Sequence, residues 1–507
     1  MDEPDAGDVR TNDDLTEATA TGLRWVAYAR IGVEVLLLVS MVVLARLMPP
    51  SAFGIFAVVM IIHELALIMP MEGVGSALVQ RRSVGREHLR AGLALSLGVA
   101  AVLVIVTIGL AEVLVRPLFG GETARLVMLA SVCFPLGALN AVPVAVLRRR
   151  LDFARLGVID FVSTFTRTTV TVGLAFSGLD ASALVIGHIA SMIAGVCVAG
   201  FFAGGIPLPR WNRQAVRDLL PYGGPAALAC VAWTGFRNGD YAIVGAQLGS
   251  AQAGLYWRGY QLAVDYQRKI SIVTTQMAFP VLARTAGREE MLVLWRRMVQ
   301  LLTVTLFPLL VLLVLLAPKV VPWVFGPAWE PAVLPAQILA AGGAAMLVID
   351  AVGSALMAAG RTKAMLVYGI GHFVAYAGAV VIVAPRGLAA VAIAAGVVHF
   401  LFLLIAYQVL LGGRGSAIPH LWRDVRAAVV SCGALAAVGG LVEWGLRGTG
   451  SPALVHLVLV GGAGGAAYLV ALRVWFPSAC NDLAAALRRV IPKRGLRLAG
   501  RLVPARG

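Results

Sequence analysis

Charge is what this sequence has little of. Of its 507 residues only 13% are Asp, Glu, Lys or Arg, and 59% are hydrophobic. A soluble globular chain has roughly 25% charged and about 45–50% apolar residues. The shortage excludes a soluble enzyme, a secreted domain and a disordered scaffold, and it leaves no polar stretch of about 100 residues for a separate soluble domain. Cysteine is scarce too. Cys133, Cys197, Cys230, Cys432 and Cys480 are scattered, odd in number and without a CxxC pair, which speaks against a disulfide framework and for packed thiols. No basic segment precedes an apolar core at the N-terminus, so no signal peptide is expected. There is no Walker loop, no metal-ligand spacing and no nucleophile triad. The loops are too short for a periplasmic catalytic segment. The expectation is a chain that is not an enzyme and needs no cofactor.

What is present is a succession of apolar runs. They lie near 23–47, 52–78, 89–115, 123–147, 156–177, 182–204, 221–248, 252–283, 296–317, 332–358, 363–384, 387–411, 425–446 and 452–476. Fourteen helices of about 21 residues would use roughly 290 residues, close to the apolar total. The expected fold is all-α, a polytopic membrane protein of about 14 transmembrane helices.

The basic residues alternate from loop to loop. After even-numbered runs come Arg81, Arg82, Arg86 and Arg90; Arg148, Arg149, Arg150 and Arg155; Arg210, Arg213 and Arg217; Arg284, Arg288, Arg296 and Arg297; Arg361 and Lys363; and Arg414, Arg423 and Arg426. After odd-numbered runs there are only Arg46, Arg116, Arg125, Lys319, Arg386 and Arg447. Cytoplasmic loops carry the excess of Lys and Arg, so both termini are expected in the cytoplasm. The net charge of +16 is thereby a topology signal, and nucleic acid is not an expected partner.

Residues 1–22 hold seven acids against Arg10 alone and read as a disordered acidic cytoplasmic tail. A repeat is visible further on. Ala45-Arg46-Leu47 leads through a short turn to Phe53-Gly54-Ile55-Phe56, and Ala246-Gln247-Leu248-Gly249 leads to Ala253-Gly254-Leu255-Tyr256. Six runs separate the copies, which implies two parallel six-helix lobes, an arrangement transporters use to build a midplane cavity. The expected divisions are an N-lobe at 23–204, a C-lobe at 205–411, two further spans at 412–476 and a basic cytoplasmic tail at 477–507. In that tail, basic residues interleaved with Leu, Val and Ile fit a stop signal joined to an amphipathic stretch on anionic lipid.

Several of these motifs together resemble the bacterial polysaccharide-exporter, or oligosaccharide flippase, family of the superfamily that includes the multidrug extrusion transporters. They are Ala45-Arg46-Leu47 with Phe53-Gly54, Glu72-Gly73-Val74-Gly75-Ser76-Ala77-Leu78-Val79-Gln80-Arg81, and Pro143 with Leu147-Arg148-Arg149-Arg150-Leu151-Asp152-Phe153. Arg237-Asn238-Gly239-Asp240, Gly254-Leu255-Tyr256-Trp257-Arg258 and Phe325-Gly326-Pro327-Ala328-Trp329 complete the set. Glu72 stands where the family pattern leads one to expect Asp. The resemblance covers roughly 22–412. It implies flipping of a polyprenyl-pyrophosphate-linked oligosaccharide to the outer leaflet, with that glycan, membrane lipids and the polysaccharide polymerase machinery as partners.

A charge at bilayer depth costs about 2.5–3.5 kcal/mol on insertion scales, so charged residues within spans are expected to face protein or a wet cavity. Arg30, Arg237, Arg258 and Arg268 are the candidates to hold a pyrophosphate, because a guanidinium offers a planar fork and stays charged. Glu34, Asp240 and Asp265 are candidates for coupling or for a gate. Arg30 and Glu34 stand i, i+4, and Arg237 and Asp240 stand i, i+3, so each pair is equally readable as an ion pair between helix turns. His63, His188, His372 and His399 stand singly on apolar runs, where core packing is the bland expectation. Gly223-Gly224-Pro225 is a candidate break in the seventh run. The alternative to a flippase is a cation-coupled small-molecule antiporter of the multidrug type.

Overall fold

The computed structural model of the chain describes residues 32–81, 83–265, 282, 287–359, 361–411 and 416–490. The described residues are helical throughout, with no strand among them. The helices are α1 (32–47), α2 (Pro50–Gln80), α3 (Arg86–Phe119), α4 (Gly121–Arg149), α5 (Phe153–Phe176), α6 (Asp180–Ala203) and α7 (Arg213–Leu248). They continue with α8 (Ser250–Tyr260), α9 (Arg288–Phe325), α10 (Val333–Ala358), α11 (Thr362–Val383), α12 (Leu388–Leu411), α13 (Ala417–Leu446), α14 (Ala453–Trp475) and α15 (Pro477–Val490).

Ten of the described helices are long and apolar enough to cross a bilayer, namely α2, α3, α4, α6 and α9 to α14. Of the expected spans outside these ten, those near 23–47 and 252–283 lie partly outside the described residues, and those near 156–177 and 221–248 fall on α5 and α7. α5 and α7 have 24 and 36 residues, which at about 1.5 Å per residue exceeds the roughly 30 Å hydrocarbon core. Composition sets them apart, since α5 carries Arg155, Asp160 and Arg167, and α7 carries Arg237 and Asp240.

The chain forms two compact units, Met1–Gly254 and Leu255–Gly507. This packing division differs from the expected division at 204/205, because α7 packs with α2 and α3. In the first unit Val74 and Leu78 of α2, Leu93 of α3, Val142 of α4 and Leu219 of α7 share one core. Backbone meets backbone where α7 crosses α2, for a Cβ on Gly223 would stand 2.3 Å from the Gly73 carbonyl oxygen. α7 runs unbroken through Pro221 and Pro225. Gly223-Gly224-Pro225 is therefore a place of close approach and not a break. The facing segment of α2, Met69–Gly75, is wound as a π-helix around Pro70.

In the second unit Trp295 and Leu306 of α9, Leu347 and Ile349 of α10, and Leu403 and Tyr407 of α12 form the core. The Trp295 indole Nε1 donates to the Ala351 carbonyl at 2.8 Å. α13 and α14 are fastened to α9 through Val304, Ala428, Leu435 and Leu472, and the Tyr468 hydroxyl donates to the Val304 carbonyl at 2.6 Å. Between α13 and α14, buried His456 contacts Glu443 through Nδ1 at 2.6 Å and the Ser451 hydroxyl through Nε2 at 3.0 Å. α15 begins the basic tail and lays Ala479, Cys480 and Leu483 on the α9–α13–α14 core. The tail beyond 490 lies outside the described residues.

Several arginines of the basic loops have partners on helix ends. Arg149 donates to the carbonyls of Leu78 at 2.8 Å, Val79 at 3.1 Å and Arg81, the C-terminal carbonyls of α2 that lack intrahelical donors. In the second unit Arg288 donates to Leu410 at 2.8 Å and Arg361 donates to Val409, both at the end of α12. Asp152 caps α5 by accepting from the Arg155 backbone N–H at 3.2 Å, after a turn in which Leu151 takes a left-handed φ of 54°.

Candidate functional site

Arg258 lies near the end of α8 and is 2% exposed. Three indole or phenyl rings surround its guanidinium. The carbon Cζ is 4.9 Å from the Trp329 ring centroid, 5.4 Å from Phe325 and 5.8 Å from Trp257. Aromatic faces attract a cation electrostatically, more strongly when water is excluded. Nη1 donates to Gln261 Oε1 at 3.0 Å, within the π-helical turn Gln261–Asp265 that continues α8. Phe325 ends α9, and Trp329 sits in the 3₁₀ turn Pro327–Ala332 that leads into α10. Gly326, with φ at 101°, makes that turn sharp enough to bring both rings onto one guanidinium.

Two of the motifs thus meet, 67 or more residues apart in sequence. Gly254-Leu255-Tyr256-Trp257-Arg258 supplies the cation, and Phe325-Gly326-Pro327-Ala328-Trp329 supplies its lid. Nearby, Tyr256 and Tyr376 share a hydroxyl contact at 3.4 Å. Phe325 and Trp329 are site residues the sequence reading places only in a loop motif. An arginine so held is confined in orientation, and its planar N–H groups are suited to a phosphate oxygen pair.

The other sequence candidates are placed as follows. Asp240 on α7 is 2% exposed, and its Oδ1 accepts from the Tyr241 backbone N–H at 3.0 Å. Glu34 is half-buried on α1. Arg237 is in α7 and Asp265 ends the π-helical turn after α8, but their side chains lie outside what is described. Arg30 and Arg268 lie outside the described residues altogether. Neither the Arg30–Glu34 nor the Arg237–Asp240 spacing therefore has a described pair behind it.

The histidines are not single. His63 Nε2 and His188 Nε2 approach to 2.8 Å, and the rings of His372 and His399 meet edge to face with centroids 5.2 Å apart. Their sequence separations of 125 residues and 27 residues give no periodic signal. Glu72 and Arg148 approach to 4.0 Å with both side chains well exposed, a pair worth little on its own.

Residues 43–334, more than half of the chain, match the family described as polysaccharide biosynthesis protein. The lipopolysaccharide biosynthesis protein WzxC of Escherichia coli K12 is 26% identical over 352 residues, covering 68% of this chain and 71% of that protein. The teichuronic acid biosynthesis protein TuaB of Bacillus subtilis 168 is 22% identical over 380 residues, covering 71% and 77%. Among solved structures, the lipid II flippase MurJ in an inward closed conformation superposes with a TM-score of 0.72 at 13% identity, over 89% of this chain and 99% of that one. An inward-facing multidrug transporter gives a TM-score of 0.59 at 16% identity, over 74% and 94%. At such identities the structural likeness is one of fold.

Proposed function

Because the chain belongs to the polysaccharide biosynthesis protein family, we propose that it moves a polyprenyl-pyrophosphate-linked oligosaccharide from the cytoplasmic to the outer leaflet of a bacterial inner membrane. It does so by alternating access of two six-helix lobes, with both termini in the cytoplasm. The observation that carries the reading is buried Arg258, a cation that 2% exposure would make costly unless it served a purpose. Its aromatic lid offsets that cost through cation–π attraction and holds the fork for a diphosphate. Arg30, Arg237 and Arg268 extend this cationic cavity, and Glu34, Asp240 and Asp265 temper its charge or carry a coupling proton. The relatives support the glycan class, since WzxC is named for lipopolysaccharide biosynthesis and TuaB for teichuronic acid biosynthesis.

The test is mass spectrometry of polyprenyl-linked glycans after depletion of the protein, with leaflets assigned by an impermeant glycosidase. Build-up of one species on the cytoplasmic face is expected and names the substrate. An unchanged pool in both leaflets sinks the proposal.

A further inference from the structure

His63 on α2, Cys133 on α4 and His188 on α6 converge inside the first unit, with one candidate ligand atom from each lying within 4.8 Å of the others. His63 is 2% and Cys133 0% exposed. No carboxylate belongs to the cluster. The two imidazoles touch through Nε2 at 2.8 Å, and both Nδ1 atoms are buried without a hydrogen-bond partner. A pair of neutral imidazoles bonded only to each other must leave one Nδ1–H donor unanswered, since one ring donates and the other accepts through Nε2. Buried unsatisfied donors are rare and call for an explanation.

We propose that His63, Cys133 and His188 form a buried three-coordinate site for a soft monovalent d¹⁰ metal ion, Cu(I). The donor set selects it. Thiolate with imidazole suits Cu(I) and Zn(II) and disfavours Mg(II), Ca(II) and Mn(II), which take oxygen. Charge then separates the first two. On binding, the Cys133 thiol loses its proton to solvent as the sulfur–metal bond forms, so Cu(I) with one thiolate and two neutral imidazoles is electroneutral. Zn(II) in the same site leaves a net positive charge among apolar helices, where Arg167 of α5 already acts on His188 electrostatically. Such a charge is expensive at bilayer depth.

Cys133 is fully buried, so its thiol gives up the proton only as the metal–sulfur bond forms. Little movement is needed, for two metal–nitrogen bonds of about 2.0 Å at a trigonal angle set the nitrogens about 3.5 Å apart. Ligation through both Nε2 atoms leaves a second Nδ1–H unanswered, a small cost beside metal–ligand bonds. The ion would join α2, α4 and α6 at one point.

The full chain, purified in detergent and kept reduced under anaerobic conditions, is titrated with Cu(I) against a chromophoric chelator. Each variant is first checked for a single gel-filtration peak. One equivalent per chain is expected, bound at least tenfold more weakly by His63→Gln and His188→Gln and not held by Cys133→Ser. Replacing the other four cysteines with serine leaves that equivalent in place. Absence of binding by the wild type, or an equivalent that survives Cys133→Ser, overturns the proposal. Should Cys133→Ser fail to fold, the half-buried His188→Gln carries the test with Ag(I) as a redox-inert probe. One equivalent of Ag(I) is expected to raise the melting temperature of the wild type and not of this variant; an equal rise in both overturns the site. Zn(II) held at the same stoichiometry and lost with the same substitutions overturns the assignment to a monovalent ion.

Discussion

Gly54 and Gly254 lie against each other reciprocally. A Cβ added to Gly54 would stand 1.7 Å from the Ser250 carbonyl oxygen, and one added to Gly254 would stand 1.8 Å from the Pro50 carbonyl oxygen. These are corresponding glycines of the two repeat copies, Phe53-Gly54-Ile55-Phe56 and Ala253-Gly254-Leu255-Tyr256. Each helix start thus packs its first turn into the same turn of the other.

Gly54→Ala is expected to lower thermal stability by more than the 1–3 kcal/mol typical of overpacking, because the obstruction is backbone and cannot rotate away. Gly98→Ala, where nothing lies within 4 Å of the new Cβ, is expected to be neutral or slightly stabilising through helix propensity. Melting of both variants in the same detergent decides it, and equal melting temperatures would refute the interlock.

Arg258→Ala is expected to abolish glycan translocation while the protein still folds. Arg258→Lys is expected to restore little, since an ammonium lacks the planar face that Phe325 and Trp329 cover and the fork that grips a diphosphate. Measured in the leaflet assay, full activity of the lysine variant would reduce Arg258 to a generic positive charge. Wild-type activity of the alanine variant would remove it from the site.

Arg149→Ala is expected to cost about 1.5–3 kcal/mol of stability, the range for hydrogen bonds to a charged group, as the carbonyls of Leu78 and Val79 lose their donor. Exposed Arg150→Ala is expected to stay within about 0.5 kcal/mol. Chemical unfolding of the two variants side by side distinguishes a helix-end contact from bulk charge.

Tyr468→Phe is expected to destabilise by about 1 kcal/mol through loss of one buried hydrogen bond to the Val304 carbonyl. Limited proteolysis of the α13–α14 turn, around Gly448 and Gly450, should quicken in parallel. An unchanged cleavage rate would mean that apolar packing on α9 alone secures the pair.

Helices, the apolar class of the protein and its family were legible in the sequence because each rests on local composition or short motifs. Arg258 was legible for the same reason, as a charge in an apolar run. Its lid was not. Phe325 and Trp329 belong to a turn, and nothing periodic links a turn to a helix some 70 residues earlier; only folding past Gly326 brings them together. The histidine pairs were missed for a related cause, since His63 and His188 sit on helices whose adjacency no one-dimensional pattern encodes. The Gly223-Gly224-Pro225 segment misled in the other direction. Residues that weaken an isolated helix serve here to let α7 and α2 touch, and packing outweighs propensity.

The arginines that cap helix ends carry a consequence for any experiment on orientation. Swapping charges between loops is the usual way to invert a polytopic chain, and 148–155 would be a natural place to attempt it. Arg149 is mortar there, so a swap that includes it unseats the end of α2 whichever way the chain then faces. Loss of function would be read as wrong insertion when the cause was a loosened joint. Arg150, exposed on the same turn, is the position at which sign alone can be changed.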